Sequence, residues 1–222
     1  MSSLVVSGDT SGAITIAAPA VAGSGTLTLP VATDTLVGKA TTDTLTNKSI
    51  AATQLTGTIA AARLPAGSVI RVEAAYKTDV QTITASMTFV DISGLSITIT
   101  PASASSTFLI IWNVTMGNAA DASHGYVRLN RSGTPIALAD TAGSRTSASS
   151  AIINTSGVGQ TIPSGNSFLD SPATGSAITY KLTAASNAAG ASTFINRSSR
   201  DDNNANFDGR STSSLTILEI GG

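Results

Sequence analysis

The sequence predicts an all-β protein whose C-terminal part is a β-sandwich of jelly-roll type. Short segments of alternating apolar and polar residues recur about every ten residues, and Gly, Ser and Asn separate them. A sustained helical stripe is almost absent. The clearest strand is 108–116 (FLIIWNVTM), in which alternate residues share one apolar face. This segment includes the only tryptophan, Trp112, and we expect it to be the central core strand.

Residues 1–39 are predicted to form a small module of short strands. The segment 4–6 (LVV) precedes a turn signal, GDTSG, and 14–16 (ITI) alternates after it. A second alternating pair, Leu27 and Leu29, follows a Gly-Ser-Gly turn. These features predict a few strands joined by tight turns.

Residues 40–67 are predicted to form a slender stalk. The large apolar residues recur every four or five positions among Thr, Ala, Ser, Asn and Gln, which fits neither a helix nor a strand. One copy of so thin a segment cannot bury its own aliphatic side chains, whereas three copies around a common axis could. The sequence therefore predicts a homotrimer whose core residues are Leu45, Ile50, Leu55, Ile59 and Leu64.

Residues 68–222 are predicted to form the head. Alternating segments predict strands around 70–76, 83–89, 95–99, 127–129, 136–138, 178–182, 194–195 and 213–220. A change of phase predicts a bulge or bend near Val90, and Arg131-Ser132-Gly133 separates two of the strands. Residues 139–167 are predicted to be long loops with one strand. Asn187 and Gly190 disfavour a long helix in the alanine-rich 182–191.

The amino-acid composition argues against several classes of protein. The 222 residues include 11% charged residues, a formal net charge of −1 and no cysteine. A disulfide scaffold and a thiolate metal site are therefore excluded. Without a Lys/Arg cluster we expect no nucleic-acid binding, and without a long apolar run we expect no membrane insertion. The first residues lack a secretory pattern, so we expect synthesis in a cytoplasm.

Several segments are similar to bacteriophage tail fibres, particularly those of marine and cyanobacterial phages. DTLTNKSI (43–50) followed by QLTGTIAAARLPAGSVI (54–70) resembles their passage from stalk to head. SGDTSGAITIAAPAVAGSGTLTLP (7–30) resembles a module near their N-termini, and FLDSPATGSAITYKL (168–182) and STSSLTILEI (211–220) resemble their head domains.

The resemblance implies a virion tail protein, assembled in the host cytoplasm, that mediates attachment to the host. Residues 1–39 would dock on other tail or baseplate proteins. The head would bind a host surface polysaccharide or an outer-membrane receptor.

Two polar segments are candidate receptor-binding surfaces. The loop RDDNNANFDGR (200–210) offers amides, an aromatic ring and arginines suited to sugars, and 139–165 offers long loops on a rigid sandwich. The candidate contacts are Arg145, Asn203, Asn204, Asn206, Phe207 and Arg210. The 200–210 loop could instead bind Ca²⁺ or simply turn the chain, and 139–165 could pack between chains.

Catalysis is not predicted. The only histidine, His124, has Asp121 nearby in sequence, but no G-x-S-x-G element accompanies them. The acidic residues of the head are scattered among predicted turns, which does not suit a glycosidase. We therefore expect a protein that is not an enzyme and has neither a cofactor nor a metal.

Three alternatives to a tail fibre remain at the level of sequence. The first is a virion structural component without a receptor role, such as a head fibre, a capsid decoration or a baseplate protein. The second is a secreted C1q-like or TNF-like trimeric binding domain, which the missing signal peptide and collagen-type repeat disfavour. The third is an enzyme acting on host polysaccharide.

Overall fold

The computed structural model describes most of the chain. The described residues are 3–7, 10–17, 21, 24, 31, 49–54, 56, 57, 59–84, 86–119, 123–153, 158–187 and 192–222. The chain divides into two compact units, Met1–Thr56 and Gly57–Gly222. The predicted boundaries at residues 39 and 67 stay predictions.

The first unit contains one antiparallel hairpin. Strand β1 (Ser3–Ser7) pairs with β2 (Ala13–Ala17), which confirms the two predicted strands on either side of the GDTSG turn. Gly12 has a φ of 77°, in the left-handed region that glycine enters without steric cost. A 3₁₀ turn, Ala52–Gln54, lies later in the described part of this unit. The predicted pair Leu27 and Leu29 lies outside the described residues.

The second unit contains two antiparallel sheets, preceded by a 3₁₀ turn at Ala61–Arg63. The first sheet comprises β3 (Val69–Lys77), β4 (Gln81–Ile83), β6 (Thr107–Asn118), β10 (Ile162–Asp170), β12 (Thr193–Ile195) and β13 (Ser213–Ile220). The second comprises β5 (Val90–Ile99), β7 (His124–Arg131), β8 (Thr134–Ile136), β9 (Ser150–Ile153) and β11 (Ile178–Ser186).

Each sheet is four strands wide. The strand order of the first sheet is β10-β6-β13-β3, and β12 and β4 continue the positions of β13 and β3 farther along β6. The second runs β5-β11-β7, with β8 and β9 sharing the last row. The chain crosses repeatedly from one sheet to the other, as in a jelly roll. The predicted all-β fold with a sandwich head is confirmed.

The core lies between the two sheets, and β6 contributes its largest share. Every second residue of this strand points inward and is buried: Phe108, Ile110, Trp112, Val114 and Met116. The indole N–H of Trp112 donates to Ser150 Oγ at 3.2 Å. The strand predicted to be central is therefore central, because its neighbours cover both of its edges.

Local backbone chemistry explains two strand connections. Ser132 and Gly133 join β7 to β8 with φ values of 47° and 89°, the positive pair that a two-residue type I′ hairpin requires. Gly94, with a φ of 83°, lies in β5 where the pairing with β11 shifts register. The irregularity predicted near Val90 is therefore present, and it lies between Asp91 and Ser96. The predicted strand 83–89 ends at Ile83.

The prediction for 139–167 was wrong in one respect. Besides β9, this segment contains the first six residues of β10, 162–167. They read Ile-Pro-Ser-Gly-Asn-Ser, without apolar alternation. They form a strand because their backbone pairs with the long edge of β6, from Met116 to Ile111.

A buried polar cluster joins the two sheets near the level at which the chain enters them. Asp170, at the end of β10, accepts hydrogen bonds from the Tyr180 hydroxyl at 2.6 Å and from Arg131 at 2.7 and 3.0 Å. Burial raises the pKa of Tyr180 above its ordinary value, and the bond to the Asp170 carboxylate raises it further. The cluster fixes β10 of one sheet against β7 and β11 of the other.

We expect Asp170→Ala to destabilise the sandwich by about 2–3 kcal/mol, because it leaves a buried hydroxyl and a guanidinium without their acceptor. Asp91→Ala is the matched control, since Asp91 pairs with Lys181 on the surface and should cost less than about 1 kcal/mol. Urea unfolding followed by the fluorescence of the sole tryptophan measures both. Equal losses in the two variants would contradict the role of the cluster.

Candidate functional site

The candidate site is the loop that connects β12 to β13, residues 196–212, here the arginine–aspartate loop. It leaves the sheet beside Thr115 of β6, where Asn196 N–H donates to the Thr115 carbonyl at 2.9 Å. The chain enters the sandwich at the level of Thr107, where Gly67 N–H donates to Gly221 O at 2.7 Å. Eight residues of β6 separate these levels, roughly 26 Å at ~3.3 Å per residue.

Asn196 holds the base of the loop. It is fully buried, and its φ of 63° lies in the left-handed region that asparagine tolerates better than most residues. Its backbone and side-chain polar atoms are all hydrogen-bonded. The partners are Thr115 O, Ser211 N, Ser213 Oγ, Lys77 O and Asp79 O, at 2.9, 3.2, 2.6, 2.8 and 2.9 Å.

Asp208 organises the middle of the loop. Its carboxylate accepts hydrogen bonds from Arg200 Nε at 2.8 Å, from Ser198 Oγ at 2.6 Å and from the Asp202 amide at 3.1 Å. The bond from Arg200 is the main reason why the pKa of Asp208 falls from 3.8 to about 2, and the bond from Ser198 adds to it. The loop therefore has a fixed internal structure.

Further ion pairs tie the outer part of the loop. Arg210 contacts Asp201 at 2.7 Å, Arg197 approaches the same carboxylate at 3.5 Å, and Arg200 lies 3.4 Å from Asp202. These pairs engage the acidic side chains that the Ca²⁺ hypothesis would need. Among the described residues, no group of three or more His, Cys, Asp or Glu is arranged to hold a metal.

Two arginines of the loop also lie over aromatic rings. The Arg197 guanidinium carbon is 3.9 Å from the centre of the Phe194 ring, and that of Arg200 is 5.4 Å from the Phe207 ring. Phe207 remains 65% exposed. The same loop also forms an open depression of about 390 Å³, whose lining residues are Asp201, Asp202, Asn203, Asn204, Ala205, Asp208 and Arg210.

The structure brings together five of the six predicted receptor contacts. Exposed positions of this one loop hold Asn203, Asn204, Asn206, Phe207 and Arg210. Arg145 lies elsewhere, in the loop between β8 and β9 at the edge of the second sheet, where its guanidinium donates to Ala142 O at 3.2 Å. Among the described residues, no hydrogen bond or ion pair joins Arg145 to the arginine–aspartate loop.

Sequence reasoning missed the residues that support the site. In the sequence, Asn196 and Ser198 form an N-x-S pattern that arises by chance in a chain rich in Asn and Ser, and nothing local distinguishes Arg197. Their partners are up to 119 residues away in sequence, so no local signal identifies them. The two arginines at the ends of 200–210, with three aspartates between them, were the one available sign that these side chains pair with each other.

The predicted trimer-core residues are partly described. Ile50, Ile59 and Leu64 are 46%, 51% and 37% exposed in the single chain, and Leu45 and Leu55 lie outside the described residues. Leu64 lines a cavity of about 230 Å³ at the entry level of the sandwich. Its other lining residues are Ala61, Ala66, Ile70, Ala102, Ser103, Gly221 and Gly222.

His124 occupies a structural position at the start of β7. Its backbone N–H donates to Asn187 Oδ1 at 2.8 Å, and its ring meets that of Tyr126 edge-on, with 6.0 Å between centroids. Asp121, which the sequence placed near it, lies outside the described residues.

Comparisons with known proteins show little. No family model and no curated protein matches the chain. One solved structure that matches this chain is "Structure of infectious bursal disease virus Gx strain", at a TM-score of 0.36 and 12% identity. The match covers 69% of this chain and 43% of the viral chain, so this chain spans less than half of that protein's length. In the described part of the chain, no helix is long and apolar enough to cross a membrane.

We expect Asn196→Ala to lower the free energy of unfolding by about 3 kcal/mol, because it leaves buried backbone and hydroxyl groups without partners. Asn196→Gly, which accepts the positive φ, should lose nearly as much and so isolates the hydrogen bonds from backbone strain. Asn203→Ala, an exposed change in the same loop, should stay within about 0.5 kcal/mol of the parent. Urea unfolding measures all three, and a neutral Asn196→Gly would be the contrary result.

The pKa of Asp208 predicts how loop order depends on pH. Because the folded-state pKa of about 2 lies below the ordinary 3.8, the ionised carboxylate favours the ordered loop. This contribution is complete above about pH 4 and is lost as the pH falls through about 2. NMR titration of the Asp208 carboxyl, together with hydrogen exchange of the Asp202 amide, measures it. A midpoint close to 4 would show that the Arg200 pair does not form in solution.

Proposed function

We propose that this chain is a structural protein of a virion, and specifically a bacteriophage tail fibre that attaches to the host cell surface. The assignment to tail fibres rests on the similarity of residues 7–30, 43–70, 168–182 and 211–220 to such fibres. The position of the ordered arginine–aspartate loop, roughly 26 Å from the level at which the chain enters the head, is the observation that carries the attachment role.

We propose a neutral surface polysaccharide as the ligand class. Three exposed asparagines, Asn203, Asn204 and Asn206, offer paired amide donors and acceptors, and Phe207 offers an apolar face. The charges of the loop neutralise each other through its ion pairs, which favours an uncharged ligand. Since these internal bonds already order the loop, binding would cost little conformational entropy.

We propose that the working unit is a homotrimer joined through residues 40–67. The large exposed fractions of Ile50, Ile59 and Leu64 in the single chain support it, because aliphatic side chains in a subunit core would look this way without their partners. Three identical heads would make three weak glycan contacts act together. The increase in the overall strength of attachment then comes from the effective concentration of the linked heads and needs no deep binding pocket.

Residues 1–39 would dock on other tail or baseplate proteins, and assembly would take place in the host cytoplasm. The role is binding without turnover, with neither a cofactor nor a metal.

A second candidate is a virion component without a receptor role, such as a head fibre, capsid decoration or baseplate protein. One observation favours it. The ionised side chains of the arginine–aspartate loop pair mainly with each other, as expected of a stable surface loop that binds no ligand.

Binding of the fluorescently labelled full chain to a panel of cyanobacterial cells, and to arrays of neutral and acidic glycans, separates the two candidates. For any cell or glycan that binds, we expect Phe207→Ala and Asn204→Ala to weaken binding at least about tenfold, a loss of ~1.4 kcal/mol. Thr98→Ala, on the second sheet, should bind normally. Arg145→Ala tests whether the separate β8–β9 loop contributes. Unchanged binding after replacement of 203–207 by Gly-Ser would reject the loop as the site.

The same preparation tests the trimer. Wild-type chain should have the mass of three subunits by light scattering, and Ile59→Asp should be monomeric or aggregated, because a carboxylate cannot be desolvated in an apolar core. A monodisperse trimer of Ile59→Asp would contradict the predicted stalk.

A further inference from the structure

The outer faces of the two sheets differ in character. On the second sheet the exposed aliphatic residues Val90 and Ile153 lie on opposite edge strands. Most other outward residues are polar or charged: Thr98 bonds to Thr179 at 2.8 Å, and Lys181 pairs with Asp91 at 2.8 Å. This is the expected composition of a sheet face in water. The outer face of the first sheet is instead largely aliphatic in the half nearest to Thr107, the level at which the chain enters the sandwich.

In that half, four aliphatic residues lie side by side across the whole sheet. Strand register aligns Leu169 of β10, Leu109 of β6, Leu218 of β13 and Val72 of β3. These four form the aliphatic row. Its two ends, Leu169 and Val72, are each 56% exposed. Three strand spacings of ~4.8 Å make the row about 14 Å wide.

The next row adds to the same surface. It consists of Ser167, Ile111, Thr216 and Ala74, so neither row contains a charged side chain. Together with exposed Val69 at the start of β3, the patch covers on the order of several hundred Å². Apolar patches of this size are often functional. A stable interface needs about 800 Å² from each partner, so the patch would form part of such an interface.

We propose that this half of the first sheet is the surface through which copies of this chain contact each other in the head. The inference rests on the homotrimer of the proposed function and assigns it a second contact, separate from residues 40–67. A charge-free face suits a second copy because it carries no like charges to repel an identical one. A partner recognised by its charge would find no complementary group in either row.

The position of the row fits chains that are held together just before the head. Strand β3 begins at Val69, two residues after Gly67 enters the sandwich, and Val69 pairs with Ile220 beside the row. Copies joined through residues 40–67 therefore present the same apolar surface at the same level. Farther along the sheet the chain covers its own face, since a Cβ on Gly117 would lie 2.5 Å from the Arg197 carbonyl oxygen. The contact is thus confined to the near half.

Thiol labelling of the full chain tests this surface, because the sequence contains no cysteine. The test variants are Leu169→Cys and Val72→Cys. The control is Ile153→Cys, at an aliphatic position of the second sheet that is 48% exposed in the single chain. Rates of maleimide labelling are measured beside the mass of each variant from sedimentation velocity. We expect trimers in which the two test thiols react at least about tenfold more slowly than the control, since they react only when the assembly opens.

The two readouts separate the possible failures. A trimer whose test thiols react as fast as the control would overturn the proposed surface and leave the proposed function intact. A monomer with fast labelling would reject both the surface and the trimer. A monomer with slow labelling would show that another part of the same chain covers the row, which also overturns contact between copies.

Discussion

The pairing of β6 on both of its edges is the constraint on which the rest of the head depends. Strand β10 covers one edge along nine residues, and β13 and β12 share the other. One face of the strand supplies aromatic and aliphatic side chains to the core between the sheets. Because most of the strand is paired along both edges, its register also sets the positions of its neighbours. The buried polar cluster of Asp170, Tyr180 and Arg131 follows from that register, since Asp170 pairs with Phe108 of β6.

The arginine–aspartate loop is a consequence of an interruption in this pairing. Strand β12 covers β6 at 116–118 and β13 covers 107–113, so Thr115 faces the gap between them. The Thr115 amide donates to Ser213 Oγ at 3.0 Å, and its carbonyl accepts from Asn196 N–H. A side chain thus replaces part of the missing ladder. The backbone N–H and C=O groups of Thr115 thereby stay hydrogen-bonded at the point where seventeen residues, 196–212, leave the sheet to form the candidate site.

On these proposals the same sheet has two functional halves. Its far half carries the ordered polar loop, which we assign to the ligand, and its near half carries the aliphatic row, which we assign to the other subunits. This division is physically consistent, because the rigid polar part of the surface is solvated while the uncharged part can be desolvated without losing ion hydration. The second sheet presents an ion pair and bonded threonines on its outer face.

The sequence by itself determined the elements with strong apolar alternation, namely the strands around Trp112, around Tyr180 and at 213–220, and the Ser132-Gly133 turn. It also located the polar loop and five residues exposed on it. Only the tertiary structure decided that β10 exists, since Pro163, Gly165 and Asn166 carry no strand signal and are held by the backbone of β6. It likewise decided that Asn196 supports the loop and that Leu169 and Val72 are neighbours in one row. These features arise from groups that lie far apart in the sequence, by 119 residues for Asn196 and Lys77, and local patterns contain no information on such pairs.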